Sequence, residues 1–362
     1  MFQKFFATGM ALVCFAGAYA QDSTVVAAED PAPKPPMFSG SVDAYYRFNF
    51  ANAKNVGVKG ATNNYTSFTN SQNSFELGMA SVKFEHSIGK VSVVADLGFG
   101  KRAQEFSYAD EGEGSLLAVK QAYISYAPSE HVKFSAGSWG THVGYELVDP
   151  QLNRNYSMSY MFSYGPFLHT GFKADFTFGK SGFMLGVANP TDFKSANFTQ
   201  KMMLAQYSLA ASDKVKIFIN YVGGKTDNDN KLHQFDAVVT GTITDKFSIG
   251  YNGTVQTRKS RSAGSEYGDG AAWWGSALYL NVDPVPGFGL TLRGEYINDK
   301  KDILGFDGNI FATTLSANFR VGPLVIIPEL RVDSGSKEIF VKDTGAGTKS
   351  TGTFLVAAVY KF

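Results

Sequence analysis

The sequence predicts an all-β fold: a transmembrane antiparallel β-barrel of about 16 strands, with 14 or 18 as alternatives, short periplasmic turns and longer extracellular loops. Three observations carry that expectation. Apolar residues recur at every second position through most of the chain, not every 3.6. The breaks between these stretches alternate between short turns and longer polar loops. The composition pairs 14% aromatics and 38 glycines with only 18% charged residues, where about 25% is usual. Mean hydropathy is only −0.12, which suits a surface apolar in one band and polar elsewhere.

The first 20 residues, MFQKFFATGMALVCFAGAYA, carry Lys4, an apolar stretch from Phe5 to Gly17 and an Ala18-Tyr19-Ala20 cleavage site. This is the pattern of a cleaved signal peptide, too short for a spanning helix, which needs roughly 20 apolar residues. The sole cysteine, Cys14, lies within it. Val13 before it argues against a lipid-modified cysteine, and no disulfide or thiolate site is expected in the mature chain. Residues 21–37 read as a Pro-rich disordered periplasmic tether. The barrel itself is expected over 38–362.

Within that span the alternation is explicit. Val42, Ala44, Tyr46, Phe48 and Phe50 share one face, opposite Ser41, Asp43, Tyr45, Arg47 and Asn49. Val91, Val93, Ala95, Leu97 and Phe99 oppose Ser92, Val94, Asp96, Gly98 and Gly100. Similar stretches follow around Ile217, Ile249 and Leu315. Short turns are expected at Gly89-Lys90, Ser129-Glu130, Gly179 to Gly182, Ser212-Asp213, Asp245-Lys246, Asp283 to Gly287 and Val321-Gly322. Longer loops are expected at 51–73, 106–115, 140–158, 190–200, 225–231, 259–270, 299–309 and 335–350. A soluble sandwich also alternates, but closure removes the exposed edges that a long hairpin array would leave. Tyr45, Tyr46, Tyr123, Tyr126, Trp139, Trp273, Trp274, Tyr279 and Tyr296 cluster at strand ends, where interfacial girdles are expected. Trp273 and Trp274 are adjacent, so only one of them can serve there.

Residues 64–108 (with TSFTNSQNSFELGMASVKFEHSIGKVSVVADLGFGKRAQEFSY from Thr66) and 118–178, including THVGYELVDPQLNRNYSMS, resemble the OmpL-like β-barrel porins of Gram-negative outer membranes. The likeness covers the N-terminal half well; the remainder follows only in strand pattern and the terminal Phe362. What the resemblance implies is an exported, pore-forming barrel with no catalytic residues to carry over.

A barrel of about 16 strands leaves an aqueous channel, so inward polar groups would tune what passes. The loop at 140–158 mixes charge with apolar residues and is the candidate pore constriction, through His142, Glu146, Asp149 and Arg154, with both acids opposing Arg154 and wall cations. The alternative is an external loop packed on its neighbours. Arg47, Asp96, Lys133, Lys173, Asp175, Arg258, Arg293, Glu295, Arg320, Glu329 and Arg331 lie opposite the apolar faces and are the candidate pore lining. On the lipid side Arg or Lys would cost about 2–4 kcal/mol at the midplane. Mixed signs predict weak ion selectivity, and Arg293/Glu295 and Glu329/Arg331 are candidate cross-strand pairs.

The sequence holds no H-E-x-x-H and no G-x-S-x-G, and its five histidines are scattered. Neither enzymatic activity, nor a metal, nor a cofactor is expected. The near-neutral charge of +1 gives no case for nucleic acid. The expected role is an outer-membrane channel for passive diffusion of small hydrophilic solutes. The alternative is a non-conducting or plugged barrel serving as a structural or interaction component of a surface complex; a barrel hydrolase ranks third. Expected partners are outer-membrane lipid, the barrel-assembly machinery and the solutes, with homo-oligomerisation open. The chain ends FLVAAVYKF, so Tyr360 and Phe362 are the candidate assembly signal on the closing strand. Its inward set, Leu355, Ala357, Val359 and Lys361, is oddly apolar for a pore wall.

Overall fold

The structure is a computed structural model that describes residues 35–362 except 54–61, 111, 113, 198–199, 227–229 and 262–264. The expected signal peptide and most of the tether lie outside the described residues. The strand order is a simple meander: β1 (Met37–Asn49), β2 (Ser74–Ile88), β3 (Val91–Phe99), β4 (Val119–Ser129), β5 (Val132–Gly140), β6 (Leu168–Phe178), β7 (Ser181–Ala188), β8 (Met202–Ser212), β9 (Val215–Lys225), β10 (Lys231–Thr244), β11 (Phe247–Lys259), β12 (Ala271–Val285), β13 (Phe288–Asp299), β14 (Gly308–Val321) and β15 (Leu324–Gly335). A small hairpin, β16 (Phe340–Val341) and β17 (Gly347–Thr348), decorates the last loop before β18 (Ser350–Lys361). Each barrel strand pairs with its neighbours in order, and β18 returns to β1, so 16 antiparallel strands form a closed barrel. Closure leaves no strand edge unpaired, the condition for a sheet to span lipid.

Period-two alternation becomes a two-faced wall. On β1, Ser41, Asp43, Tyr45, Arg47 and Asn49 are buried inside, while Val42 is exposed outside. The seam pairs Val42 with Tyr360 and Phe48 with Phe354, and Phe362 exchanges backbone hydrogen bonds with Gly40 in both directions. The apolar inward set of β18 is resolved by packing: Leu355, Ala357 and Val359 form a buried cluster with Tyr45, Ile327 and Tyr156. Tyr156 belongs to the loop after β5, so this stretch of wall is a packed seat rather than a wetted surface.

The aromatic expectation needs correction. Tyr45, Trp139, Trp273 and Tyr279 are 4% exposed or less and face inward, and Tyr123 packs inward against Trp139 and Val143. Tyr126 and Trp274 are exposed on the outside. The inward five pack under the loops that enter the lumen, where burying a large ring stabilises more than it would at an interface.

Candidate functional site

The segment from 141 to 167, longer than the expected loop, runs across the barrel interior. Its neck is closed by Thr141 N–H donating to the Phe167 carbonyl at 2.9 Å. Inside, a 3-10 turn (Pro150–Leu152) and the short helix α2 (Tyr160–Tyr164) shape the chain; Pro150 suits the first position of a turn, and the Ser159 hydroxyl caps α2 by accepting from Phe162 N–H at 3.2 Å. Glycines on the wall make room for it. A Cβ at Gly275 would lie 2.6 Å from Met161, and one at Gly250 would lie 2.5 Å from the Tyr145 ring.

On one side the loop is tied to β1 and β12–β15 by charge. Arg293 donates to Glu146 at 2.6 Å and pairs with Glu295 at 3.2 Å. Arg331 pairs with Asp333 at 2.8 Å and Glu295 at 3.3 Å, and donates to the Met158 carbonyl. Tyr160 O–H donates to Asp333 and Tyr156 O–H to Asp43, while Glu329 accepts from Tyr156 N–H. Arg154 grips Asp283 through two bonds of 2.9 Å, and Arg320 shares that carboxylate. These charges are compensated in pairs, as buried charges must be.

On the other side the wall of β8–β11 is a run of amides bonded mainly to one another. Gln206 donates to Asn220 at 2.6 Å, Asn220 and Asn252 both donate to Asp236, and Gln256 donates to Gln234 at 2.9 Å. The loop meets this side lightly: Gly144 N–H donates to Asp236, and His142 Nε2 bonds the Tyr221 carbonyl at 3.1 Å. Burial pushes the His142 imidazole down to about 4. The ring of His169 lies 5.2 Å away.

Neighbouring loops hold the segment from above. Helix α1 (Lys101–Phe106) supplies Arg102, which donates to the Val148 and Tyr156 carbonyls and lies 5.0 Å over Phe68 and 4.6 Å over Tyr156. Asp192 accepts from the backbone of Phe167 and Leu168 and from Tyr108 O–H, and burial pushes its carboxyl up to about 6. Among the described residues a cavity of about 10 Å³ remains between loop and wall, bordered by Arg47, Asn63, Tyr160, Arg331 and Asp333. That is room for about one water.

The candidate residues are thus partly regrouped. Glu146 and Asp149 do not oppose Arg154: Glu146 meets Arg293, Asp149 meets Lys120 at 2.5 Å, and Arg154 meets the acid Asp283. Asp96 also pairs with Lys120, at 3.1 Å. Arg293/Glu295 pair as expected, whereas Arg331 takes Asp333 and Glu295 in place of Glu329, which accepts from Ser316. Arg47 is buried and donates to the Thr62 and Ser71 carbonyls of the first loop. Lys173 pairs with Asp175 at 3.4 Å, Lys133 stands opposite Asp175 across β5–β6, and Arg258 donates to Gln256. Sequence reading missed Lys120, Asp283, Tyr156, Tyr160 and Asp333. Asp333 had a usable signal, since it continues the inward parity of Glu329 and Arg331; the two tyrosines had none, being in a loop without period.

Against solved structures, the fold is similar to the outer membrane channel DcaP of Acinetobacter baumannii, at TM-score 0.62 and 11% identity over 93% of this chain and 100% of that one. It is also similar to a trimer form of OmpT, an outer membrane protein of Vibrio cholerae, at TM-score 0.58 and 11% identity over 92% and 100%. An anion-selective porin from Comamonas acidovorans matches at TM-score 0.58 and 10% identity over 91% and 100%. At such identities the likeness speaks for the fold. No protein with a curated description matches the chain in sequence. A family model does, over residues 36–362, and the chain is therefore an outer-membrane β-barrel belonging to the family described as "Putative beta-barrel porin-2, OmpL-like".

Proposed function

We propose that the chain is a porin-like channel for passive diffusion of small hydrophilic solutes, weakly ion-selective, with the loop 141–167 as its constriction. The observation that supports this reading most is the anchoring of that loop to opposite walls, through Tyr156–Asp43 on β1 and His142–Tyr221 on β9, eight strands apart in the ring. A loop held at both flanks defines a fixed cross-section rather than an external cover. Its charges are matched pair by pair, which favours weak selectivity for either ion sign. Diffusion needs no covalent chemistry, so the proposal includes no catalytic residue, metal or cofactor. It does include export by the N-terminal signal, insertion by the barrel-assembly machinery reading Tyr360 and Phe362, and homo-oligomerisation.

The deciding experiment is planar-bilayer conductance of the mature chain and of a variant lacking residues 146–154. The variant is expected to conduct more, with altered selectivity; unchanged conductance and selectivity would overturn the constriction role. The complete burial of Tyr156, Met158 and Tyr160 of the loop favours a second reading, a plugged barrel serving a surface complex. A correctly folded chain that never conducts, beside a deletion variant that does, would select it.

A further inference from the structure

The balance of charge along the lumen changes between its middle and its short-turn mouth. In the buried clusters of the middle, acids outnumber cations: Lys120 meets both Asp96 and Asp149, while Arg293 and Arg331 share Glu146, Glu295 and Asp333. At the mouth the ratio reverses. Arg154 and Arg320 share the single carboxylate of Asp283, each at 2.9 Å. Eight strands round the ring from β14, on β6, Asp175 pairs with Lys173 at 3.4 Å and stands opposite Lys133 in the register.

The Arg154–Arg320 cluster is open on one side. Arg320 continues the inward parity of Thr314, Ser316 and Asn318, just before the turn at Gly322. Its side chain is 31% exposed, where that of Arg293 in the middle is 0%. Arg154 is fully engaged: Nη1 and Nη2 donate to Asp283, and Nε donates to Thr291. Arg320 donates to Asp283 through Nη2 alone, which leaves one two-donor edge of its guanidinium without a partner among the described residues. The backbone makes room for the cluster, because a Cβ at Gly289 would lie 2.8 Å from Arg154 and 2.9 Å from Arg320. A free planar edge matches the paired oxygens of a carboxylate or phosphate. With one acid between two cations, the local charge favours such a group.

We propose that Arg320, backed by Arg154, is a binding subsite for solutes bearing a carboxylate or phosphate group at the short-turn mouth of the channel. Such a site rests on the channel role proposed above, and it adds a preference among solutes that the matched charges of the constriction do not supply. The test uses citrate as probe in planar bilayers at 0.1 M salt, where charges act over about 10 Å. Citrate added at the short-turn side is expected to block the current, and Arg320→Gln to weaken that block about tenfold. Arg154 keeps its two bonds to Asp283 in this variant, and heat-modifiable migration on gels confirms folding. Arg320→Lys should recover only part of the block, since an ammonium lacks a two-donor edge. Lys90→Gln, an equal charge change in the turn between β2 and β3, should leave the block at the wild-type level. Inorganic phosphate should relieve the block by competition, and neutral glucose should not. Calorimetric titration of the detergent-solubilised mature chain with citrate repeats the comparison without current. A chain that never conducts yet binds citrate through Arg320 sinks the channel role and upholds the site. The proposal is overturned if the wild-type chain binds citrate no better than glucose, if Arg320→Gln keeps the wild-type affinity, or if Lys90→Gln lowers it equally. Binding that emerges only once residues 21–34, with Asp22, Glu29 and Asp30, are removed assigns Arg320 to that acidic segment and overturns it as well.

Discussion

The two flanks of the lumen hold their polar groups in different ways. On β1 and β12–β15 the wall presents ions, and most reach partners through the crossing loop: Arg293 to Glu146, Arg154 to Asp283, Tyr156 to Asp43. On β8–β11 the wall presents amides, and these bond chiefly to the next strand, as Gln256 does to Gln234 and Asn220 to Asp236. The ionic flank is therefore coupled to the loop, whereas the amide flank is complete largely without it. A charge stranded in the interior costs far more than a lost neutral hydrogen bond. The loop should accordingly be held mainly from one side and hinge from the other.

That contrast can be broken by substitution. Arg293→Ala leaves Glu146 and Glu295 buried without their shared cation, and a loss of about 3–5 kcal/mol is expected. It should appear as a lower unfolding midpoint in heat-modifiability assays, together with higher bilayer conductance. If conductance stays at the wild-type level while stability falls, the ionic flank does not hold the loop in a conduction-limiting position.

A pH titration probes the loop's other attachment. The docked His142 has its pKa lowered to about 4 by burial, against about 6.5 in solvent. The released loop then binds more protons between those values, so docking is favoured above pH 6.5 and weakens as pH falls toward 4, by at most about 3 kcal/mol. Asp192 acts in the opposite sense: with its pKa raised to about 6, its contribution favours docking below its unfolded value and is lost as pH rises through 6. The two contributions largely offset, so conductance at pH 4.5 relative to pH 7.5 should be raised only slightly in the wild type, and His142→Gln, which leaves Asp192 to act alone, should reverse that difference. An unaltered acid response in the variant removes His142 from the account.

The smallest effect is expected on the amide flank. Gln256→Leu removes partners from Gln234, Arg258 and Trp273, costing about 1–3 kcal/mol. Conductance should stay unchanged, because the loop does not hang from this residue. A rise equal to that of Arg293→Ala would erase the distinction between the flanks.

How much of this was legible in the sequence follows from the range of each interaction. The alternation in SVDAYYRFN already separates the lipid face from the lumen, because the pleat of a strand sets side-chain direction residue by residue. The same rule placed Arg293, Glu295 and Arg331 inside. It could not say whether an inward aromatic meets water, lipid or a loop, and so Tyr45, Trp139 and Tyr279 were assigned to the membrane boundary. Their surroundings come from a segment far along the chain.

The sequence by itself determined the barrel, its approximate strand number, the alternation of turns and loops, and the faces of β1 and β18, since all rest on local period and turn chemistry. Only the tertiary structure decided the interior. Asp43 and Tyr156 are 113 residues apart, and Tyr160 and Asp333 are 173 apart. No local pattern encodes such meetings. They exist because closing the ring brings β1, β13, β15 and the loop after β5 within one diameter, and because buried charges there must find each other.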